Sequence, residues 1–230
     1  MERWDMNRMP AFADPSQQMP SDQALIHPSS GAPSDLGPPV RVGVMASGNG
    51  SNFEALATAI RDEHINAEIA LLVVNNPGCG AQQRAERLGI PWQLFNHRNY
   101  DSRSALDRDL VQRFQSLGVE GVVMAGWMRI VTSELIQAFP DRLINIHPSL
   151  LPSFRGLDGV GQALKAGVRL AGCTVHLVTE DLDAGPILVQ AAVPVLDSDS
   201  HDSLSQRIQQ QEHRILPTGL MLAADRWRQG

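Results

Sequence analysis

A chain of 230 residues that is 43% hydrophobic and 19% charged has the composition of a globular protein of one domain or two small ones. Its net charge of −6 argues against nucleic-acid binding, its two cysteines fit no metal or disulfide pattern, and its apolar stretches are too short to cross a bilayer. We therefore exclude membrane, fibrous and disulfide-stabilised proteins, and we expect free thiols in the reducing cytoplasm.

Residues 1–40 differ from the rest of the chain. They contain seven of the fifteen prolines and four of the eight methionines, and no apolar periodicity extends beyond a few positions. Such a segment cannot bury enough apolar surface to offset the entropy of ordering it. It also lacks a basic region followed by an apolar one, so it is not a secretory signal. We predict a disordered tail over 1–40; a short partner-binding motif at its beginning is the alternative.

From Arg41 onward, short apolar runs alternate with segments of helical periodicity. The predicted strands are 42–46, 67–74, 89–95, 119–125, 143–148, 172–179 and 186–194. The predicted helices are 51–63, 79–88, 102–117, a short one between Thr132 and Pro140, and 200–227 with a break near Pro217. This alternation is typical of βαβ units and predicts an α/β fold. We expect a mostly parallel twisted sheet with helices on both faces, extended by C-terminal strands of mixed direction.

A loop with two glycines, 47–52, connects the first predicted strand to the first predicted helix. Free N–H groups at a helix start suit a phosphate, although many strand-to-helix turns contain glycine for geometry alone. Phe53 stands where the dinucleotide-binding fingerprint has its third glycine, and the second strand is followed by Asn75 instead of an acid that would hold a ribose. The loop therefore favours a monophosphate over NAD.

Asn145 and His147 alternate along the 143–148 strand, so their side chains point to the same side of the sheet. Ligands of open α/β sheets bind beyond the carboxyl ends of strands. An amide donor and an imidazole that project together can hold and protonate a carbonyl oxygen. The proline-rich loop 149–156 that follows is typical of a binding wall. Without a partner, however, a histidine at a strand end more often has a structural role.

An acidic turn between the last two predicted strands could supply that partner. It contains Glu180, Asp181 and Asp183. A carboxylate beside an imidazole favours its protonated form. Spacing alone does not choose among the three acids, and a solvated acidic turn remains the alternative.

Residues 145–152, Asn-Ile-His-Pro-Ser-Leu-Leu-Pro, and the Asp-Ala-Gly-Pro turn at 183–186 resemble the folate-dependent formyltransferase family. The loop 47–52 narrows the resemblance to members that act in purine synthesis. The resemblance implies formyl transfer from 10-formyltetrahydrofolate, a co-substrate, to the amine of 5-phosphoribosylglycinamide, with no metal. It also implies a Rossmann-like phosphate-binding half over 41–140, a catalytic and folate-binding half over 141–230, and a cis bond before Pro152.

The resemblance also assigns roles to individual residues. His147 is the expected general acid, Asn145 holds the developing oxyanion, and Asp183 pairs with His147 and helps to move the amine proton. The expected contacts to phosphoribosylglycinamide are Gly50, Ser51, Asn52, Gln209, Gln210, Gln211 and Glu212. The expected folate contacts are Arg103, Met128, Arg129, Ile130, Val131 and Asn145. For Arg103 a solvated helix face, and for 128–131 ordinary strand-end packing, are the alternatives.

One segment departs from the family pattern. Members often carry a histidine just after the proline-rich loop, where this chain has Asp-Gly-Val-Gly at 158–161. We interpret His176 and His213 as structural.

Other functions remain as alternatives at this point. They are formyltetrahydrofolate deformylase, methionyl-tRNA formyltransferase and a non-catalytic nucleotide-binding Rossmann module, whereas Phe53 and Asn75 argue against an NAD oxidoreductase. The acidic chain, ending at Gly230, argues against a C-terminal tRNA-binding domain, and forty proline-rich residues argue against the N-terminal regulatory domain of the deformylase. We expect small-molecule substrates as the only partners, with no nucleic acid and no membrane, and a monomer or homodimer.

Overall fold

The computed structural model of the protein describes residues 24–28 and 37–229. These residues form one eight-stranded sheet with helices on both of its faces. The strands are β1 (Leu25–His27), β2 (Val40–Ala46), β3 (Ala67–Val74), β4 (Trp92–Leu94), β5 (Gly121–Met124), β6 (Leu143–His147), β7 (Leu170–Leu177) and β8 (Ile187–Pro194). The helices are α1 (Ser51–Arg61), α2 (Gly80–Leu88), α3 (Arg103–Ser116), α4 (Ser133–Ala138), α5 (Gly159–Ala166) and α6 (His201–Gln229).

The strand order is β1-β8-β7-β6-β5-β2-β3-β4. Strands β2 to β6 pair in parallel, whereas β6 with β7, β7 with β8, and β8 with β1 pair antiparallel. The predicted α/β fold, with its C-terminal strands of mixed direction, is thereby confirmed. Strand β3, which follows β2 in sequence, lies on one side of β2, and β5 lies on its other side. The strand order thus reverses between β2 and β5, and a crevice opens at the carboxyl ends of these two strands.

Two apolar cores fill the two faces of the sheet. Residues of α1, α2, α5 and α6 pack on one face, and residues of α3 and α4 pack on the other. The alternation along β6 shows the division, because Ile144 and Ile146 belong to the first core and Leu143 to the second. Asn145 and His147 therefore project on the face of α3 and α4.

Two helical features differ from the prediction. Helix α5 was not predicted, because its eight residues begin Gly-Val-Gly and glycine disfavours a helix. The predicted break at Pro217 is wrong, since α6 runs through that proline. A proline inside a helix removes one backbone hydrogen bond. Leu216 before the proline and Leu220 after it are buried, and their packing holds both parts of the helix against the sheet.

The predicted disordered tail is wrong over Leu25–His27. This segment forms β1 and pairs with 190–192 of β8. The backbone groups along the outer edge of β8 offer hydrogen bonds to any extended segment. Three residues can therefore form a strand there although their sequence has no helical or alternating apolar pattern. Residues 1–23 and 29–36, where the rest of the tail prediction and the alternative motif fall, lie outside the described residues. No helix among the described residues is both long and apolar enough to span a membrane.

We expect Phe114→Ala to lower the free energy of unfolding by about 3–5 kcal/mol. The Phe114 ring is fully buried, packs edge-on against Phe139, and occupies the space that a side chain at Gly43 would need. Urea unfolding measures the loss, and Leu157→Ala is the control because Leu157 is exposed and should change stability by less than about 0.5 kcal/mol. Equal effects of the two substitutions would contradict this packing.

Candidate active site

The glycine loop between β2 and α1 is fixed by close backbone packing. Gly50 has a φ of 79°, and a Cβ there would lie 2.4 Å from the Cα of Ala81, so glycine is required on both counts. Ala81 N–H donates to the Gly48 carbonyl, at 3.0 Å, and the side chain of Asn76 donates to the Ser47 carbonyl at 2.8 Å. The loop therefore rests on the start of α2 and on the end of β3.

Charged side chains hold the same loop from outside. Arg84 of α2 donates to the backbone and side-chain oxygens of Asn49, at 2.9 and 2.8 Å. Arg84 and Arg87 both pair with Glu54 in the first turn of α1. Gly50, the residue that caps α1, has no side chain with which to bond the first N–H groups of the helix. These N–H groups are thus available to an anion.

Asn52 and Glu212 join α1 to α6. The Asn52 amide donates to the Glu212 carboxylate at 2.9 Å, and both residues are more than nine-tenths buried. Burial raises the pKa of Glu212, while the bond from Asn52 and the nearby charge of His147 act in the opposite direction. The Asn52 Oδ1 atom is buried and accepts no hydrogen bond from the described residues. This oxygen is therefore available to a donor from a ligand.

The pairing of β6 with β7 collects polar side chains on one face of the sheet. In this antiparallel ladder Asn145 lies opposite His176, and His147 lies opposite Thr174. Directly opposed residues place their side chains close together on the same face. The Asn145 Nδ2 atom lies 3.2 Å from the His176 Nε2 atom. The side chains end at the carboxyl end of β6, which lies next to β5 and to the crevice that β5 borders.

Asp183 is the acid that approaches these side chains. Of the three acids in the turn between β7 and β8, it is the buried one, whereas Glu180 and Asp181 are exposed. Its Oδ2 atom accepts the Gly156 N–H at 2.9 Å and lies 3.5 Å from the Nδ1 atom of His147. Asp183 adopts a φ of 49°, in the left-handed region where a residue other than glycine is strained.

The loop after β6 is tied down by hydrogen bonds to neighbouring strands. Thr174 donates to the Ser149 carbonyl at 2.7 Å and accepts the Leu151 N–H at 3.1 Å. Gln190 of β8 donates to the Leu151 carbonyl at 3.0 Å. The peptide bond before Pro152 is cis, as predicted. The His147 Nε2 atom lies 2.9 Å from the Phe154 carbonyl, so this loop also orients the imidazole.

The segment 128–131 lies beside the glycine loop and is anchored by Asp107. The Met128 N–H donates to the Ser47 hydroxyl at 2.9 Å. Asp107 accepts from the N–H and the hydroxyl of Thr132, at 2.6 and 2.8 Å. Burial raises the pKa of Asp107, and the bonds from Thr132 and the charges of Arg129 and Arg103 partly offset this effect. Arg103 is therefore near this segment, although it belongs to α3.

The structure separates the remaining predicted residues by exposure. In the segment 128–131, Met128 and Ile130 are exposed apolar side chains, while Val131 packs on the core. In α6, Gln209 and Gln210 are exposed, whereas Gln211 is buried and accepts from Arg214 at 3.0 Å. Of the four residues predicted in α6, 209–212, Glu212 is thus the one whose side chain bonds a residue of the glycine loop.

His176 lies within this site, where the sequence alone did not place it. It was interpreted as structural, but it lies between Asn145 and Asp183, with its Nε2 atom 3.7 Å from the Asp183 Oδ1 atom. Knowledge of the β6–β7 register would have been needed to place it there.

At the segment that departs from the family pattern, Asp158 caps α5 and pairs with His201 of α6 at 2.9 Å.

Among residues 24–28 and 37–229, no group of three or more His, Cys, Asp and Glu side chains has an arrangement that could hold a metal ion.

Comparison with known proteins places this chain in a defined family. A family model described as formyl transferase matches residues 40–220. The chain is 43% identical over 175 residues to phosphoribosylglycinamide formyltransferase of Bacillus subtilis (strain 168), covering 76% of this chain and 90% of that protein. It is 44% identical over 184 residues to the trifunctional purine biosynthetic protein adenosine-3 of Drosophila melanogaster, covering 79% of this chain and 14% of that protein.

A solved structure supports the same assignment. The crystal structure of glycinamide ribonucleotide transformylase 1 from Symbiobacterium toebii matches with a TM-score of 0.81 at 42% identity, covering 85% of this chain and 93% of that one.

We expect Asp107→Ala to accelerate hydrogen exchange at the Thr132 amide and to lower the free energy of unfolding by about 1–3 kcal/mol, because the substitution leaves that N–H without its acceptor. Asp109→Ala is the matched control, since Asp109 is an exposed acid of the same helix that bonds Tyr100 instead. Unchanged protection of the Thr132 amide in Asp107→Ala would show that Asp107 does not anchor this segment.

Proposed function

Because the chain belongs to the formyl transferase family, we propose that it transfers the formyl group of 10-formyltetrahydrofolate to the amine of 5-phosphoribosylglycinamide. The products are formylglycinamide ribonucleotide and tetrahydrofolate, in de novo purine (IMP) synthesis. The observation that carries the proposal is the convergence of Asn145, His147 and Asp183 at the carboxyl end of β6.

Asn145 stabilises the charge that develops during the reaction. Attack of the neutral amine on the formyl carbon converts its carbonyl oxygen into an oxyanion on a tetrahedral carbon. An amide N–H that is already in position stabilises this oxyanion without reorganisation, and loss of one such donor costs about 3–4 kcal/mol of transition-state stabilisation. Asn145 is half-buried at the crevice, so its amide is both held by the protein and accessible to substrate.

His147 protonates the intermediate as a general acid. Its Nε2 atom faces the Phe154 carbonyl, which can only accept, so Nε2 carries a proton and donates there. To act as a general acid, His147 must therefore be an imidazolium, and the proton that it gives up is on the Nδ1 atom. This atom lies 3.5 Å from Asp183, longer than a hydrogen bond, so a reacting group can compete for it.

Asp183 completes the proton transfer. Its carboxylate lies 3.5 Å from the Nδ1 atom of His147 and can form an ion pair with the imidazolium. The ammonium formed by the attack must lose a proton before the carbon–nitrogen bond to the folate breaks, and the proton must reach that folate nitrogen as it leaves. Asp183 lies beside His147 and at the rim of the crevice, from which it accepts the amine proton directly or through water.

Phosphoribosylglycinamide binds between α1 and α6 in this proposal. The free N–H groups of Gly50, Ser51 and Asn52 take the phosphate, and the Glu212 carboxylate accepts hydrogen bonds from the ribose hydroxyls. A substrate donor also satisfies the buried Asn52 Oδ1 atom, which has no partner among the described residues. Gln209 and Gln210 border this site from the exposed face of α6, and Gln211 supports it through Arg214.

The folate binds against the segment 128–131. Exposed Met128 and Ile130 supply apolar surface for the pterin, while Arg129 and Arg103 supply positive charge for carboxylates of the donor. Asp107 holds the segment in place through Thr132. Because β5 pairs with β6, Asn145 lies opposite Met124, four residues before this segment. The formyl group is thereby delivered to Asn145.

We also propose a cytoplasmic location and a monomer or homodimer. The two cysteines of the described residues are free, as expected in a reducing compartment. Within the fold, 41–140 supplies the glycine loop and much of the folate surface, and 141–230 supplies the catalytic side chains.

The test of the proposed function is formation of tetrahydrofolate from 10-formyltetrahydrofolate in the presence of phosphoribosylglycinamide, followed by absorbance. We expect turnover with the wild-type protein and a loss of about 10²- to 10⁴-fold in kcat for His147→Ala, because the general acid is removed. His64→Ala is the control that should keep full activity, because His64 is exposed and lies between α1 and β3, at the amino end of β3. Folate release with water alone would instead show a deformylase, and full activity of His147→Ala would contradict the mechanism.

We further expect Glu212→Gln to raise the KM for phosphoribosylglycinamide by about 10- to 100-fold while the KM for 10-formyltetrahydrofolate stays nearly constant. The amide loses the charge that strengthens hydrogen bonds from ribose hydroxyls. Glu180→Gln, an exposed acid in the turn between β7 and β8, is the control with the same chemical change. An equal rise in both KM values for Glu212→Gln would place Glu212 outside the ribose site.

A further inference from the structure

His176 is a buried histidine that the proposed mechanism does not use. It lies on β7 with 2% of its surface exposed, directly opposite Asn145 in the β6–β7 ladder. A buried imidazole needs partners for both ring nitrogens. Each nitrogen of His176 has a neighbour of different chemistry, and this difference determines which nitrogen carries the proton.

The Nδ1 atom of His176 lies 2.8 Å from the carbonyl oxygen of Leu177. A backbone carbonyl can only accept, so Nδ1 is the donor and carries a proton. Burial lowers the pKa of His176, and the neutral ring is therefore the favoured form. In a neutral imidazole protonated at Nδ1, the Nε2 atom has a lone pair and acts as an acceptor.

The acceptor at Nε2 then orients the amide of Asn145. The Asn145 side-chain atom 3.2 Å from Nε2 has to be the nitrogen, because its oxygen would face a lone pair. One N–H of that amide bonds His176 and the second remains for the substrate. Without His176, the two ends of the amide would be close to equivalent in energy, and rotation by 180° would exchange the donor for an acceptor.

The same tautomer protects the pairing of Asp183 with His147. The Asp183 Oδ1 atom lies 3.7 Å from His176 Nε2, and its Oδ2 atom lies 3.5 Å from His147 Nδ1. A proton on His176 Nε2 would compete with His147 for this carboxylate. With that proton on Nδ1, the negative charge of Asp183 acts on His147.

We propose that His176 is a positioning residue, which fixes the amide of Asn145 with its nitrogen toward the reacting formyl oxygen through the chain Leu177 carbonyl, His176 and Asn145. It touches no reacting atom. The inference rests on the proposed formyl transfer for its catalytic consequence, whereas the tautomer and the amide orientation can be tested without any reaction.

Two substitutions separate this role from a merely structural one. In His176→Gln, the side-chain amide reaches the position of Nε2, where its oxygen can accept from Asn145. In His176→Asn, the shorter amide reaches the position of Nδ1, where it can donate to Leu177 but offers Asn145 no acceptor. The two variants thus have similar polarity and each keeps one of the two hydrogen bonds of the histidine.

We expect His176→Asn to lower kcat by about 10- to 100-fold with little change in either KM. This loss is a part of the cost of removing an oxyanion donor, because the Asn145 amide remains and only its orientation is no longer fixed. His176→Gln should retain kcat within about 3-fold of wild type. Thermal unfolding of both variants checks that they are folded. Equal losses in the two variants, or retention by Asn and loss by Gln, would overturn the proposal.

A spectroscopic measurement decides the matter independently of activity. In protein labelled with ¹⁵N-histidine, long-range ¹H–¹⁵N spectra distinguish the two neutral tautomers and the imidazolium, and the signal that disappears in His176→Gln identifies His176 among the seven histidines. We expect a neutral ring protonated at Nδ1. A proton on Nε2, in the other tautomer or in the imidazolium, would overturn the proposal. If wild-type protein transfers no formyl group, the proposed function is wrong, and this spectrum still tests the positioning of Asn145.

Discussion

The carboxylate of Asp183 is the constraint on which the site depends, because it joins three segments that are distant in sequence. It accepts the N–H of Gly156 in the loop after β6, faces the imidazole of His147 at the end of β6, and approaches His176 on β7. A buried carboxylate is tolerated when hydrogen bonds and nearby cationic groups compensate for its lost hydration. The positive φ of Asp183 is therefore maintained by the contacts that the side chain makes.

The change of strand direction after β6 explains why polar groups collect at this edge. The parallel strands β2, β5 and β6 end here and deliver the glycine loop, the segment 128–131 and His147. The antiparallel strand β7 then runs back beside β6 and places His176 opposite Asn145. On the other face of the same strands, α6 covers apolar residues and brings Glu212 to Asn52. In the proposed function, the two substrates approach this point of the sheet from different sides, and holding them together lowers the entropic part of the barrier.

The sequence predicted what depends on local pattern and missed what depends on register. Strand β3 was predicted to the residue, and the alternation of Asn145 with His147 was enough to place both on one face. The choice of Asp183 among three acids came from the resemblance, because only the folded turn distinguishes a buried acid from exposed ones. The role of His176 depends on the pairing of β6 with β7, about thirty residues apart, and no local pattern reports such a pairing. Similarly, β1 forms because β8 has a free edge, and α6 continues through Pro217 because its flanking residues are buried.

The most direct measurement is a crystal structure of the protein with phosphoribosylglycinamide and a folate analogue whose formyl group cannot be transferred. The account predicts that the formyl oxygen lies within about 3.2 Å of the Asn145 amide nitrogen. It also predicts that the attacking amine lies on the side of His147 and Asp183, with the phosphate at the start of α1. A formyl carbon bound beyond hydrogen-bonding distance of all three side chains would contradict it.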